Sequence, residues 1–301
     1  MRQSDSGIVT SSQRLMLPLD YLPVSQIAAA WSIRKLRTAW GGFLIAVRRS
    51  SDNAAVNVSP DSNGVVSLSS PVSGGGPPTL GAWLGANNGF ITAYYDQSGN
   101  GNTASNATQA QQAQIATTGV INLINSRPAP LYSGTQFYSA ADSVSLGLNT
   151  AMTAFFIARF TGFGAVSALM DKRITSGVMT GYHYYVAGNV FGMQWNSTIG
   201  GSTAVSPTLG TGTLMALTCR STLGVSSTYY QNRAIIGTPQ SFSSSGSSVN
   251  NVALLLGGHS SGNTSLYLQG YLPECFFINT SLVAETTMSA IVNDQRRFYS
   301  L

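Results

Sequence analysis

Apolar residues in this chain recur at every second position or in short unbroken runs, and glycine, serine and asparagine separate the runs. The segments FITAYY (90–95), 152–160, 165–171, 182–195, 213–220, 225–236, 252–257 and 266–279 read as strands. Their spacing predicts a sandwich of two antiparallel sheets. The run TLMALTC (213–219) is apolar throughout, as expected of a central strand, and FLIAVRRS (43–50) reads as a shorter one. Gly74–Pro78 is a loop, and the serine-rich stretch 239–251 is a loop without linker character. Two segments follow a different period. In 24–40, Ser25 suits an N-cap, Ile27, Ala30, Ile33 and Leu36 or Arg37 recur at helical spacing, and Gly41-Gly42 ends the run. In 282–298, Val283, Met288, Ile291, Val292 and Phe298 can form one buried helical face. Residues 1–24 form an arm that Pro18 and Pro23 keep from being helical. The expected organisation is therefore all-β: one sandwich over 25–301, a short helix near each end, and a docking arm over 1–24.

Charge is scarce. Only 8% of the residues are Asp, Glu, Lys or Arg, against about 25% in an ordinary domain. Just two are glutamates (Glu274, Glu285) and two are lysines (Lys35, Lys172). Neutral polar residues take their place, which suits sheet surfaces and turns better than salt-bridged helices. A hydrophobic content of 43% excludes disorder, and a mean hydropathy of +0.11 with no long apolar run excludes a membrane-spanning helix. The N-terminus shows no apolar signal core, so synthesis in a cytoplasm is expected. Cys219 and Cys275 lie in apolar stretches and read as buried thiols. Residues 1–52 hold seven basic and three acidic side chains, which concentrates the net charge of +5 near the N-terminus. With Leu15, Leu17, Leu19, Tyr21 and Leu22 of the arm, Arg34, Lys35 and Arg37 can dock on a partner; ion pairs within the sandwich involving Asp52 are the alternative. No nucleic-acid motif is present.

Three stretches carry a family likeness. They are AAAWSIRKLRTAWGGFLIAVRRSSDNA (28–54), AYYDQSGNGNTASNATQAQQAQI (93–115) and GVINLINSRPAPLYSG (119–134). Together they resemble the catalytic domain of fungal arabinofuranosidase B and, more strongly, related concanavalin A-like (LamG-type) domains of phage and bacterial proteins. The likeness runs in order over 25–301 and is densest over 28–134. It implies a two-sheet jelly roll. It also implies a glutamate nucleophile where this chain has Gln194 or Trp195, and an aspartate acid/base where it has His259. Neither position is a carboxylate here, whereas a retaining glycosidase needs two. The family's vicinal disulfides are absent as well.

Asp96, Asp142, Asp171 and Glu274 form no recognisable pair in sequence. Asp96 reads as the cap of its own turn; the block Asp96–Asn102 mimics half a calcium loop, but Ala107 stands where a glutamate belongs. His183, His259 and the two cysteines lack zinc spacing, so neither metal nor cofactor is expected. Tyr182, Tyr184, Tyr185, Trp195, Tyr229, Tyr230 and Tyr267 can supply either core packing or a sugar-stacking platform. The leading expectation is a non-catalytic structural protein of a phage virion. It would be a homo-oligomeric capsid-surface or decoration subunit, held by its arm to other virion proteins, with no nucleic-acid or membrane partner. The first alternative is a carbohydrate-binding module of a tail or fibre, using Tyr182, Tyr184, Trp195 and His259 for a surface glycan. The second is an arabinofuranosidase-like hydrolase with relocated carboxylates such as Asp171 and Glu274.

Overall fold

A computed structural model describes residues 16–301 apart from 75, 148–149, 163–165, 176–179, 189, 197–203, 206–208, 210, 223–224, 242–248 and 280–281. The first half of the chain forms β1 (Ile27–Ser32), β2 (Ile45–Arg49), β3 (Ala55–Val58), a short helix α1 (Leu80–Leu84), β4 (Gly89–Tyr94), β5 (Ala104–Ser105), β6 (Gln114–Thr117), β7 (Val120–Ile121), β8 (Leu123–Ile124), β9 (Arg127–Pro128), β10 (Leu131–Ser133) and β11 (Tyr138–Ala140). The second half forms β12 (Ala151–Phe160), β13 (Ser167–Ile174), β14 (Thr180–Ala187), β15 (Val190–Trp195), β16 (Ala204–Val205), β17 (Leu214–Thr222), β18 (Ser226–Gln231), β19 (Ala234–Ser241), β20 (Leu254–Leu256), β21 (Gln269–Ile278) and the helix α2 (Glu285–Tyr299).

Antiparallel pairing joins these strands into two layers. One runs β1–β21–β12–β17–β18–β19. The other runs β3–β2–β4–β5–β11–β20–β13–β14–β15–β16. The expected all-β sandwich is thus present. Between the layers lies the main core, to which Trp31, Phe156, Phe277, Tyr182, Tyr184, Met193 and Trp195 contribute. Alternation along the first layer sends Phe155, Ile157, Phe276 and Ile278 to its other face. There they meet Met288, Ile291, Val292 and Tyr299 of α2, with Leu19 and Leu22, in a second core. The C-terminal helix therefore forms where its apolar period places it.

The N-terminal helix expected over 24–40 does not form. Residues 27–32 are β1, registered against β21 with Ala30 opposite Phe276 and Trp31 opposite Cys275. Every residue of β1 is buried, so no polar face marks the period; Ala28 and Ala29 belong to the main core and Ala30 to the second. Tertiary packing overrides the helix propensity of Ala28–Ala30.

Asp96 explains how β1 is held. Its carboxylate accepts from the backbone N–H groups of Ala30, Ser98 and Asn102, each at 2.9 Å. The YDQSGNGN block is thus a structural clasp, which agrees with the capping expectation. Asp96→Ala is expected to cost about 2 kcal/mol by leaving buried donors unpaired. A shift in the urea midpoint at unchanged slope would report it.

Candidate functional site

The outer face of the second layer carries an unusual row of polar side chains. Register places Asp171 (β13) opposite His183 (β14), and His183 opposite Gln194 (β15). Directly opposed residues on neighbouring strands share a face. Arg173, two residues beyond Asp171, joins them there; Lys172 between the two points inward and pairs with Asp142 at 2.7 Å.

Arg173 organises the site. Its Nε and Nη2 donate to Asp171 Oδ1 and Oδ2, both at 2.9 Å, in a two-pronged pair. Nη1 donates to Gln194 Oε1. Nη2 also reaches His259 Nε2 at 2.8 Å. A guanidinium can only donate, so Nε2 of His259 accepts from it, while Nδ1 stands 2.8 Å from Ser261 Oγ and 3.2 Å from the Ser261 backbone N. Ser260 closes the cluster by donating its N–H and hydroxyl to Asp171 Oδ2, each at 2.9 Å. His183 lies beneath, with its ring 5.0 Å from that of His259 and 5.1 Å from that of Tyr185.

Burial drives the His183 pKa down to about 3; the Asp171 carboxylate opposes the fall, and Arg173 and His259 add to it. His259 is lowered too, by burial and by Arg173, against the pull of Asp171. Burial alone would raise Asp171, but nearby His183 and the bonds from Arg173 and Ser260 hold it below the usual carboxylate value. Asp171, His183 and His259 offer three metal-ligand atoms within 4.8 Å of one another. The Arg173 guanidinium already bonds two of these residues, so it occupies the ground a cation would need and repels it. The cluster opens at a pocket of about 280 Å³ lined by Arg173, Leu255 and Ser260 among others.

Other expected site residues lie elsewhere. Tyr182, Tyr184 and Trp195 are 0% exposed and belong to the main core, so they cannot stack on a sugar. Tyr229, Tyr230 and Tyr267 are buried as well, while Tyr185 is half-buried on the outer face. His259 is half-buried at the site. Of the docking residues, Leu15 lies outside the described residues, Leu17 and Tyr21 are half-buried, and Leu19 and Leu22 pack into the protein's own second core. Arg34 is buried against Glu274 and Asp294, each at 2.7 Å, and so is not a docking charge. Lys35 and Arg37 are half-buried, and Asp52 pairs instead with Arg49 at 2.6 Å. The sequence reading missed Arg173. The one available signal was its two-residue spacing from Asp171, which places both on one face of a strand.

No family model and no curated protein matches the chain in sequence. Solved structures match it in fold. An arabinofuranosidase complexed with arabinofuranosyl-alpha-1,2-xylobiose superposes with a TM-score of 0.66 at 16% identity, over 93% of this chain and 64% of that one. A GH54 α-L-arabinofuranosidase with a cyclic sulfate inhibitor gives 0.63 at 17% identity, over 93% and 64%. This chain thus spans less than two thirds of either. At this identity the likeness shows the fold alone, a β-sandwich. The expectation of a non-catalytic protein is thereby corrected: its fold is one that arabinofuranosidases share.

Proposed function

We propose that the protein binds a saccharide at the Arg173–Gln194–His259 site. One observation carries this reading. The resemblance matches Gln194 or Trp195, and His259, to the two positions at which the family handles its sugar; Trp195 lies in the core, and Arg173 bonds to Gln194 and His259. Fixed donors and acceptors beside an open pocket suit hydroxyl groups, which both give and accept hydrogen bonds. The virion reading has less support, because the arm residues Leu19 and Leu22 are taken up within the chain itself.

Loss of His259 is the cleanest test, because it leaves the Asp171–Arg173 pair intact. His259→Ala is expected to weaken saccharide binding about tenfold, the equivalent of one good hydrogen bond, with little change in melting temperature. Calorimetric titration against a glycan panel checks it, and unchanged affinity overturns the assignment.

Glycoside hydrolysis at the same site is a second reading, favoured by the 93% overlap with an arabinofuranosidase fold. Asp171 Oδ2 and His259 Nε2 stand 3.9 Å apart, closer than the roughly 5 Å of a retaining carboxylate pair. Turnover of an aryl arabinofuranoside, lost in Asp171→Asn, would establish it.

A further inference from the structure

The row through Asp171 continues far beyond the site. Across β13, Asp171 faces Leu255, and Leu255 faces Ser139. Ser139 faces Ser105, which faces Ala93. Ala93 faces Ala46, and Ala46 faces Asn57 on β3. Seven neighbouring strands therefore present one line of side chains on one face, and its middle is small. With strands about 4.8 Å apart, the line from Asn57 to Asp171 is about 29 Å long.

A second open pocket, of about 570 Å³, lies over the far end of this line. Its floor is Ala46, Ala93 and Ser105, and its walls include Arg48, Asn57 and Tyr95. The walls are braced. The Tyr95 hydroxyl donates to Asn57 Oδ1 at 2.6 Å. Arg48 donates to Gln112 Oε1 at 2.8 Å and Asn53 Oδ1 at 2.7 Å, with its guanidinium 4.7 Å from the Phe90 ring centre. Among the described residues no carboxylate lines this pocket, and the polar groups around it are mostly amides and hydroxyls. Such a surface suits an uncharged, hydroxyl-rich ligand. Tyr95 adds a half-buried ring with a polar tip. The 280 Å³ pocket at Arg173 lies on the same face, with Leu255 of the row in its lining. Ser139 stands in the row between Ser105 of one lining and Leu255 of the other.

We propose that this face is one extended trough for a linear, uncharged oligosaccharide, with a second subsite at Asn57, Tyr95 and Arg48. The trough rests on the saccharide reading of the Arg173 site and adds to it the ligand's length: several linked sugars, where a pocket alone would take a single terminal one.

Calorimetric titration of the whole chain with linear xylo-, cello- and manno-oligosaccharides, from disaccharide to hexasaccharide, tests it. Affinity for the responding series should rise by about tenfold or more with length, as a second subsite engages the same chain. Asn57→Ala should remove that gain and leave disaccharide affinity unchanged. Ser105→Leu, a bulky change at an exposed floor position, should do the same without touching a polar contact. His259→Ala should weaken short and long chains alike. If long and short chains bind equally and neither groove variant matters, the trough is overturned while the Arg173 site stands. If no saccharide of any length binds, both readings fall.

Discussion

Arg34→Met is expected to destabilise the protein by about 3–5 kcal/mol, the usual cost of removing one partner from a buried ion pair. Arg34 is 3% exposed and Glu274 1%. The guanidinium gives Nε to Glu274 Oε2 and Nη1 to Asp294 Oδ1, both at 2.7 Å, and lies 4.4 Å from the centre of the Phe298 ring. Burial alone would lower the Arg34 pKa; the two carboxylates outweigh it and hold the group firmly charged. Gln295 of α2 adds a bond to Glu274 Oε1 at 2.9 Å. The network therefore ties α2 to β21 and to the end of β1. Without Arg34, Glu274 is left buried without its ion-pair partner, while Asp294 keeps Arg297 at 2.8 Å. Arg34→Lys should fall between the two proteins, because an ammonium keeps the charge but cannot fork to both acids. Urea unfolding at neutral pH measures this. A loss under about 1 kcal/mol would mean that the layer admits water and that the helix is held by its apolar face alone.

The same residues show what a sequence can and cannot disclose. The strand series from 152 to 279 was legible in outline because one or both faces are apolar and turn residues punctuate it, but 182–195 and 225–236, each read as one strand, fold back as the pairs β14–β15 and β18–β19. The helix α2 was legible because its apolar stripe lies on one side. The strand β1 was not, because burial on both faces removes the alternation that separates a strand from a helix. The site was half legible. Asp171, Gln194 and His259 could each be picked out, by chemistry or by resemblance, yet they lie up to 88 positions apart in sequence. Only strand register brings them together, and register depends on pairings between distant segments. For the same reason the aromatic positions stayed open between core packing and a sugar platform. Tyr182 and Tyr184 share a face as alternation requires, but the sequence alone does not say which of the two faces is the core.

Acid is expected to loosen the fold in a window set by His183. Its folded pKa of about 3 lies below the 6.5 of the free side chain. Above about pH 6.5 both folded and unfolded chains hold this histidine neutral, and stability is at its full value. As the pH falls from there towards 3, the unfolded chain takes up a proton that the folded chain refuses. Stability then drops by about 1.4 kcal/mol per pH unit for this one group and levels off below 3. His259, also lowered, adds to the upper part of the window. Asp171, held below its usual value, adds a further loss at the acid end, where the unfolded carboxyl protonates first. His183→Phe keeps a ring against Tyr185 and His259 but cannot titrate. Its urea midpoints, followed from neutral pH down to about pH 4, should show a slope shallower by about one proton's worth. An identical slope in both proteins would mean that His183 ionises in place. A protonated His183 would set a second cation beside Arg173 and compete for Asp171. The neutral ring leaves that carboxylate to Arg173, so the same burial that costs stability in acid keeps the guanidinium aimed at Gln194 and His259.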